Sequence, residues 1–545
     1  MATEDRTIDG FGQVSRTVGT VFRYLLLAAT LIGIVALVIL LLFVANDAIQ
    51  PLTADPGWHL TFFMTLVVPT LAVSGYLMNR NQSAAAVGVG TIGLAVVTTM
   101  FAGGLSLIFV DIVDSITWAA AVLALAVPTA VLVAITRVSD RSPLELLAAA
   151  VVLYYVSLFG VPGPLSGVIG TGQLLPGVGG VVTSIPVLPV DWMLLFATFS
   201  LPIAAAVRYY ARQIVDNRTA TVIVAAGLFA VAVAAAAGPT AGITPVPATV
   251  LATVVLLPTV TYVTTTAISR PHDRIGLVLP GAVFGGSLVG AFAVRALGYA
   301  GPQAWVDWQF LTSAHSRNAI DAGLYPAIGG SILLMLTVAV LSFPLGVGAA
   351  IYLEEYAPDN KLTRFIDVNI SNLAGVPSVV YGLLGLGVFV RYFGQPSGTV
   401  LVGGATLALL ILPIVIISSR EAIRSVPNEL RQASYGMGAT RWQTVKNVIL
   451  PRSFPGVLTG TILALGRAIG ETAPLIMIGA PDVLFSLPTD LSSKVSAMPL
   501  QVYAWSSLYA TPEFYQRAVP AGVVVLVSVL LAMNSVAIVL RNKFE

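Results

Sequence analysis

Cysteine is absent from the 545 residues, so the chain can hold no disulfide, no thiolate metal site and no cysteine nucleophile. Charge is scarce as well: Asp, Glu, Lys and Arg make up 10% of the residues, against about 25% in soluble domains. Histidine occurs only at His59, His272 and His315, too far apart for a ligand set, and each reads as a loop or interface residue. No G-x-x-x-x-G-K-[ST] exists, so the chain carries no Walker-type phosphate loop of its own. The one dinucleotide-like pattern, GVGTIG at 88–93, lies inside an apolar run with no βαβ unit around it, which leaves helix packing through glycine.

What remains is apolar. Hydrophobic residues reach 57% and the mean hydropathy is +0.91. Runs of roughly 20 apolar residues match the length a helix needs to cross about 30 Å of hydrocarbon. The composition predicts an all-α polytopic membrane protein of about 14 transmembrane helices, near 24–45, 60–78, 85–108, 118–136, 145–163, 191–210, 219–238, 246–267, 277–297, 327–353, 373–393, 399–418, 456–478 and 520–540. The first run, Tyr24–Ala45, exceeds the 7–15 residues of a signal-peptide core, so it reads as a retained span.

Basic residues test that count. With the N-terminus cytoplasmic, the inner loops of the first eight spans hold Arg6, Arg16, Arg23, Arg80, Arg137, Arg141, Arg208, Arg212, Arg218, Arg270 and Arg274, and the outer loops hold none. Segregation of this kind is the positive-inside rule, and it predicts a multi-pass protein of the cell (plasma or inner) membrane with both termini cytoplasmic. A polar, proline-bearing break, SRPHDR at 269–274, coincides with a change of style. It predicts an eight-span region over 1–272 and a second region over 273–545, with its core at about 327–540.

The segment 419–455 is the most polar stretch. Arg420, Arg424, Arg431, Arg441, Lys446 and Arg452 oppose only Glu421 and Glu429, which places it in the cytosol. Pro427 suits a first helical turn, Gly438 a left-handed helix end, and Thr440 with Gln443 a capping box. Two short helices joined at a glycine would form a knob, the second running to Ile449 and stopped by Pro451 and Pro455. The order Gln432-Ala433-Ser434, Gly438, then Val448-Ile449-Leu450-Pro451 resembles the "EAA" loop of ABC-transporter permeases, with Gln and Ser replacing its Glu and second Ala. In that family the loop docks on the ATPase subunit, so the resemblance assigns Gln432, Ala433, Ser434, Gly438, Leu450 and Pro451 to ATPase coupling.

GRAIGETAP at 466–474 sets Arg467 and Glu471 one turn apart within an apolar run. Counted from Pro455, Arg467 would lie roughly 18 Å along a continuous helix, close to mid-membrane, where a charge costs roughly 2.5–3.5 kcal/mol and must face protein or water. On the residues alone, the pair is either an ion pair locking two helices or part of a polar pathway. Together with PLGVGAAIYLEEYAP (344–358), NLAGVPSVVYGLLGLGVFV (372–390) and PLQVYAW (499–505), the motif resembles the PstA family of phosphate-transport permeases over about 275–545. That family ordinarily has some six spans, so the first eight are a departure from it.

The resemblance implies a six-helix type I (MetI-like) ABC permease fold in the second half, and a permease subunit for ATP-driven phosphate import that is not itself an enzyme. It places Arg467, Glu471 and Thr472 on the substrate pathway. It implies a PstC-like permease, a PstB-like ATPase dimer and a PstS-like phosphate-binding protein as partners, alongside membrane lipid and no nucleic acid. No cofactor is expected on this chain, and ATP with Mg is expected in the ATPase. External cations Arg295, Arg317, Arg391, Lys494 and Arg517 could steer the anion or anchor the interface. Glu354 and Glu355 read as residues that set helix position, and Pro377 with Ser378 as a kink. The alternatives are a permease for sulfate or molybdate, a secondary transporter driven by an ion gradient, and a membrane enzyme; Glu471 is the only deep carboxylate a gradient-driven carrier could use.

Overall fold

The computed structural model describes residues 16–138, 143–161, 163, 175–185, 191–509 and 511–544. Arg6 and Arg141 lie outside the described residues. Eight helices cover the first region: α1 (Arg16–Ile49), α2 (Pro56–Arg80), α3 (Gln82–Ile112), α4 (Ser115–Val138), α5 (Pro143–Phe159), α6 (Asp191–Ala211), α7 (Asn217–Ala237) and α8 (Pro245–Ser269). The second holds α9 (Val278–Leu297), α10 (Tyr325–Tyr356), α11 (Lys361–Ala374), α12 (Ser378–Tyr392), α13 (Val400–Arg424), α14 (Asn428–Gly436), α15 (Arg441–Ala468), α16 (Ala473–Met477), α17 (Met498–Ser507) and α18 (Val519–Phe544). The protein is an all-α polytopic membrane protein, and among the described residues extended pairing is confined to two isolated bridges.

All fourteen apolar runs are helical, with three differences from the sequence expectation. Among the described residues twelve helices are long and apolar enough to cross a membrane. The run at 145–163 is shorter, with Ala148–Phe159 as its apolar part. The run at 373–393 is half of a bent pair: α11 and α12 meet at 106°, because Pro377 disfavours helix at the residue before it and Gly375 lets the chain turn. The run at 456–478 is two helices, discussed below.

Five prolines inside spans are accommodated in the same way, while Pro128, Pro344, Pro413 and Pro455 lie in helices without a π turn directly before them. Pro69, Pro202, Pro258, Pro451 and Pro520 each follow a single π turn, at Phe63–Val67, Phe196–Ser200, Ala252–Leu256, Val445–Ile449 and Phe514–Ala518. The residue before each proline donates five back, as Leu450 N–H does to Val445 O. A proline ring clashes with the carbonyl four residues earlier, and one wide turn moves that carbonyl aside. This corrects the expectation that Pro451 and Pro455 stop the second helix of the knob: α15 runs unbroken from Arg441 to Ala468.

Packing centres on α13, whose apolar window is 67% buried where no other span exceeds 39%. It lies between α10 and α15, and Leu334, Val338, Leu407, Ile411, Ala464 and Leu475 form the core between them. In the first region the π turns of α6 and α8 face each other, with the hydroxyls of Ser200 and Thr253 2.7 Å apart and buried. The two regions are joined laterally. α1 packs along α18, and α9 against α2 and α3.

Contacts between loops sort into two faces. On one, Trp305 N–H donates to Ala48 O (2.8 Å), Ala300 N–H to the Asp55 carboxylate (2.7 Å), and the Tyr325 hydroxyl to Asp111. On the other, Asn81 and Ser83 bond Asp273, and Glu354, Glu355 and Asp367 meet the arginines of 420–441. These groupings match the alternation of inner and outer loops that the basic residues imply.

Candidate functional site: a broken helix and a cytosolic knob

GRAIGETAP is where α15 ends. Its last turn closes at Ala468, residues 469–472 form a turn, and α16 starts at Ala473. Pro474 has no π turn before it and falls in the first turn of α16, where its missing N–H costs no helical bond. Arg467 therefore sits in the last turn of a 28-residue helix, which corrects its placement midway along a continuous span. A cation in that turn is favoured by the carbonyl end of the helix dipole.

The pairing expected from the spacing is present: Arg467 Nε lies 3.5 Å from Glu471 Oε1. The Arg467 side chain is 48% exposed and that of Glu471 17%. Thr472, half-buried, begins α16. Two further residues border the break. Tyr381 of α12 is buried, its hydroxyl donates to Leu373 O at 2.9 Å, and its neighbour Gly382 lies against Pro474. Asn534 of α18 reaches Gly466, where a methyl group would sit 3.6 Å from its side-chain oxygen. Sequence reasoning missed Asn534, although a lone amide in an apolar run was the signal available.

The knob is built as the sequence predicts at its turn. Gly438 has φ +83°, and both halves of the Thr440–Gln443 capping box form, at 3.3 and 2.8 Å. Ser434 is buried, its hydroxyl 2.8 Å from that of Thr444, and this contact staples α14 to α15. Gln432, Ala433, Gly438 and Pro451 are exposed, and Leu450 is half-buried. The structure adds an apolar tip: Tyr435, Met437 and Trp442 all face outward.

Three carboxylates that the sequence could not place oppose the knob's arginines. Glu355 pairs with Arg431, Glu354 accepts from Arg424 at 3.0 Å, and Asp367 accepts from Arg420 at 2.8 Å. Beneath them Ala350, Ile423, Val426, Val445 and Ile449 form a small core.

On the other face, the segment 479–497 folds over the start of α13: Val400 N–H donates to Ser493 O and Val495 N–H to Gly398 O, both at 3.0 Å. Lys494 is bonded to Ser397 O, and the Arg517 guanidinium stacks 4.2 Å over Trp305. His315 is buried among Phe485, Trp505, Tyr509 and Phe514, and its Nδ1 accepts from Trp505 Nε1–H at 3.0 Å. Burial, with the Arg317 charge behind it, pushes the imidazole below its ordinary pKa.

Residues 342–545 match the family described as "Binding-protein-dependent transport system inner membrane component". The chain is 40% identical over 172 residues to the probable ABC transporter permease protein YqgI of Bacillus subtilis (strain 168), a match covering 31% of this chain and 58% of YqgI. It is 33% identical over 282 residues to the phosphate transport system permease protein PstA of Yersinia pestis, covering 50% of this chain and 91% of that protein. It is 30% identical over 268 residues to the phosphate transport system permease protein PstC of Mesorhizobium japonicum (strain LMG 29417 / CECT 9101 / MAFF 303099), covering 43% of this chain and 80% of that one. Spanning nine-tenths of one such permease at a third identity, with the broken helix and capped knob in its matched half, the chain belongs to the family of binding-protein-dependent transport system inner-membrane components, the ABC permeases.

Proposed function

We propose that this chain is a membrane subunit of an ATP-driven importer of inorganic phosphate. It forms part of the translocation pathway and takes force from a separate ATPase. The observation that carries the reading is the Arg467–Glu471 pair at the break between α15 and α16, with the guanidinium half-exposed. A guanidinium fork matches phosphate oxygens two at a time, and Glu471 keeps it neutralised when no anion is there. The named relatives, two of which are phosphate transport permeases, support the choice of anion.

Thr472, Tyr381 and Asn534 line the same break. The exposed face of Arg467 would meet a PstC-like permease across the pathway. Gln432, Ala433 and the apolar tip would dock in a PstB-like ATPase dimer, with Ser434, Gly438, Leu450 and Pro451 shaping the knob. ATP and Mg belong to that ATPase, and a PstS-like protein would deliver phosphate outside. We place the chain in the cell's inner membrane with both termini cytosolic, and take residues 1–272 as a unit accessory to the permease region 273–545. Co-purification tests the class: a bound ATPase supports the reading, and its absence favours a gradient-driven carrier. Sulfate and molybdate offered as competitors for uptake test the anion.

A further inference from the structure

Beside α15, which itself runs from knob to helix break, lies a pair of elements to which nothing above assigns a role. α11 carries no fully buried residue along its 14 positions, lies against α13, and is held at two polar contacts. At mid-length Asp367 accepts a two-pronged bond from Arg420, Nη1 to Oδ1 at 2.8 Å and Nη2 to Oδ2 at 3.3 Å. Near its end the Leu373 carbonyl accepts from the Tyr381 hydroxyl of α12, which ties α11 to α12 across their 106° bend.

Each contact leads to one of the two sites. Arg420 also bonds Glu354 at 3.4 Å, and Glu354 holds Arg424 at 3.0 and 3.1 Å. The neighbouring Glu355 pairs with Arg431 of the knob, whose other nitrogen donates to Ile423 O at 2.7 Å. At the other end, Gly382 of α12 lies flush on α16: a methyl group there would sit 2.6 Å from Met477 Cβ and 2.8 Å from Pro474 Cα. Pro474 lies in the first turn of α16, just past the break.

We propose that α11 and α12 act as one lever, with Asp367 and Tyr381 as positioning residues, carrying displacement of the knob to the Arg467–Glu471 break. The inference rests on the proposed function, since it needs an ATPase to move the knob. Bidentate charge-assisted bonds fix both distance and angle, so the Asp367–Arg420 contact transmits rotation as well as translation. Spatial intermediacy alone does not establish coupling, so the test must read motion on both sides of the contact.

The absence of cysteine allows label pairs without background. One pair, Met437→Cys with Val340→Cys, reports the knob against α10. A second, Val379→Cys with Val340→Cys, reports α12 against α10. Distances are measured by spin labels in the full chain, reconstituted with its ATPase in lipid, with and without ATP. Both distances should shift on ATP binding. In Asp367→Asn the knob distance should still shift and the α12 distance should not, while Asp367→Glu restores both shifts. Equal α12 shifts in the parent and Asp367→Asn overturn the lever, as does loss of both shifts or an α12 distance that never moves. A chain that no ATPase joins sinks the proposed function itself, whereas intact shifts without phosphate uptake sink only the choice of anion.

Discussion

Arg467 is a residue whose placement changed and whose chemistry did not. Its i,i+4 pairing with Glu471 was legible from spacing alone, because both are local. Its position at a helix end was not, since the break depends on how Pro474 is accommodated. Replacing it tests the pathway: Arg467→Gln should lower phosphate uptake by about 30- to 150-fold, the equivalent of about 2–3 kcal/mol for losing a charged hydrogen-bonding partner, with ATPase co-purification unchanged. Uptake of radiophosphorus-labelled phosphate against pull-down separates the two effects.

His315 gives a pH prediction of definite sign. Folded, it holds its proton more weakly than in the unfolded chain, so unfolding takes up a proton below the ordinary histidine value of about 6.5. Its contribution is present above that value and is lost as pH falls below it. The thermal midpoint should drop from about pH 7.5 to about pH 5.5, and less steeply in His315→Gln, whose amide oxygen can still accept from Trp505. The partners of the knob's arginines were beyond sequence reading for another reason. Glu354, Asp367 and Glu355 lie 66, 53 and 76 residues from Arg420 and Arg431, and only the fold brings them together.

At the scale of elements, the capped knob was legible and the prolines were not. Thr440, Gln443 and Gly438 act within a few residues of themselves, so their geometry is fixed locally. Gly438→Ala should strain the turn by about 1–2 kcal/mol, and Gly438→Asn by less; nothing lies near the added carbon, so the cost is in the backbone alone. Thr440→Ala should weaken the cap by about 1 kcal/mol. Both should raise the proteolysis rate of the knob and reduce ATPase retention on a column. A proline in a span has three outcomes here: a π turn that carries the helix on, as at Pro451, an unbroken helix without one, as at Pro413, or a break, as at Pro474, and the tertiary environment decides between them. That is why Pro451 proved continuous and Pro474 did not.

At the scale of the molecule, alternation of basic loops fixed the pairing of faces, because charge segregation is a global property written in composition. Lateral packing was not written there. The seam at residue 273 gave no sign that α9 would pack on α2 and α3, or α1 on α18, since every apolar helix can meet lipid or protein alike. Removing residues 1–272 should lower the thermal midpoint in detergent by uncovering α9 and α18. ATPase co-purification should persist, because among the described residues the ion pairs of the knob lie within 354–431.

The most direct test of the whole account is ATP-dependent phosphate entry into proteoliposomes holding the complete complex, compared between the parent chain and Arg467→Gln. The account predicts entry with the parent and a collapse to near background with the variant, at equal ATPase content. Undiminished entry with Arg467→Gln would contradict it.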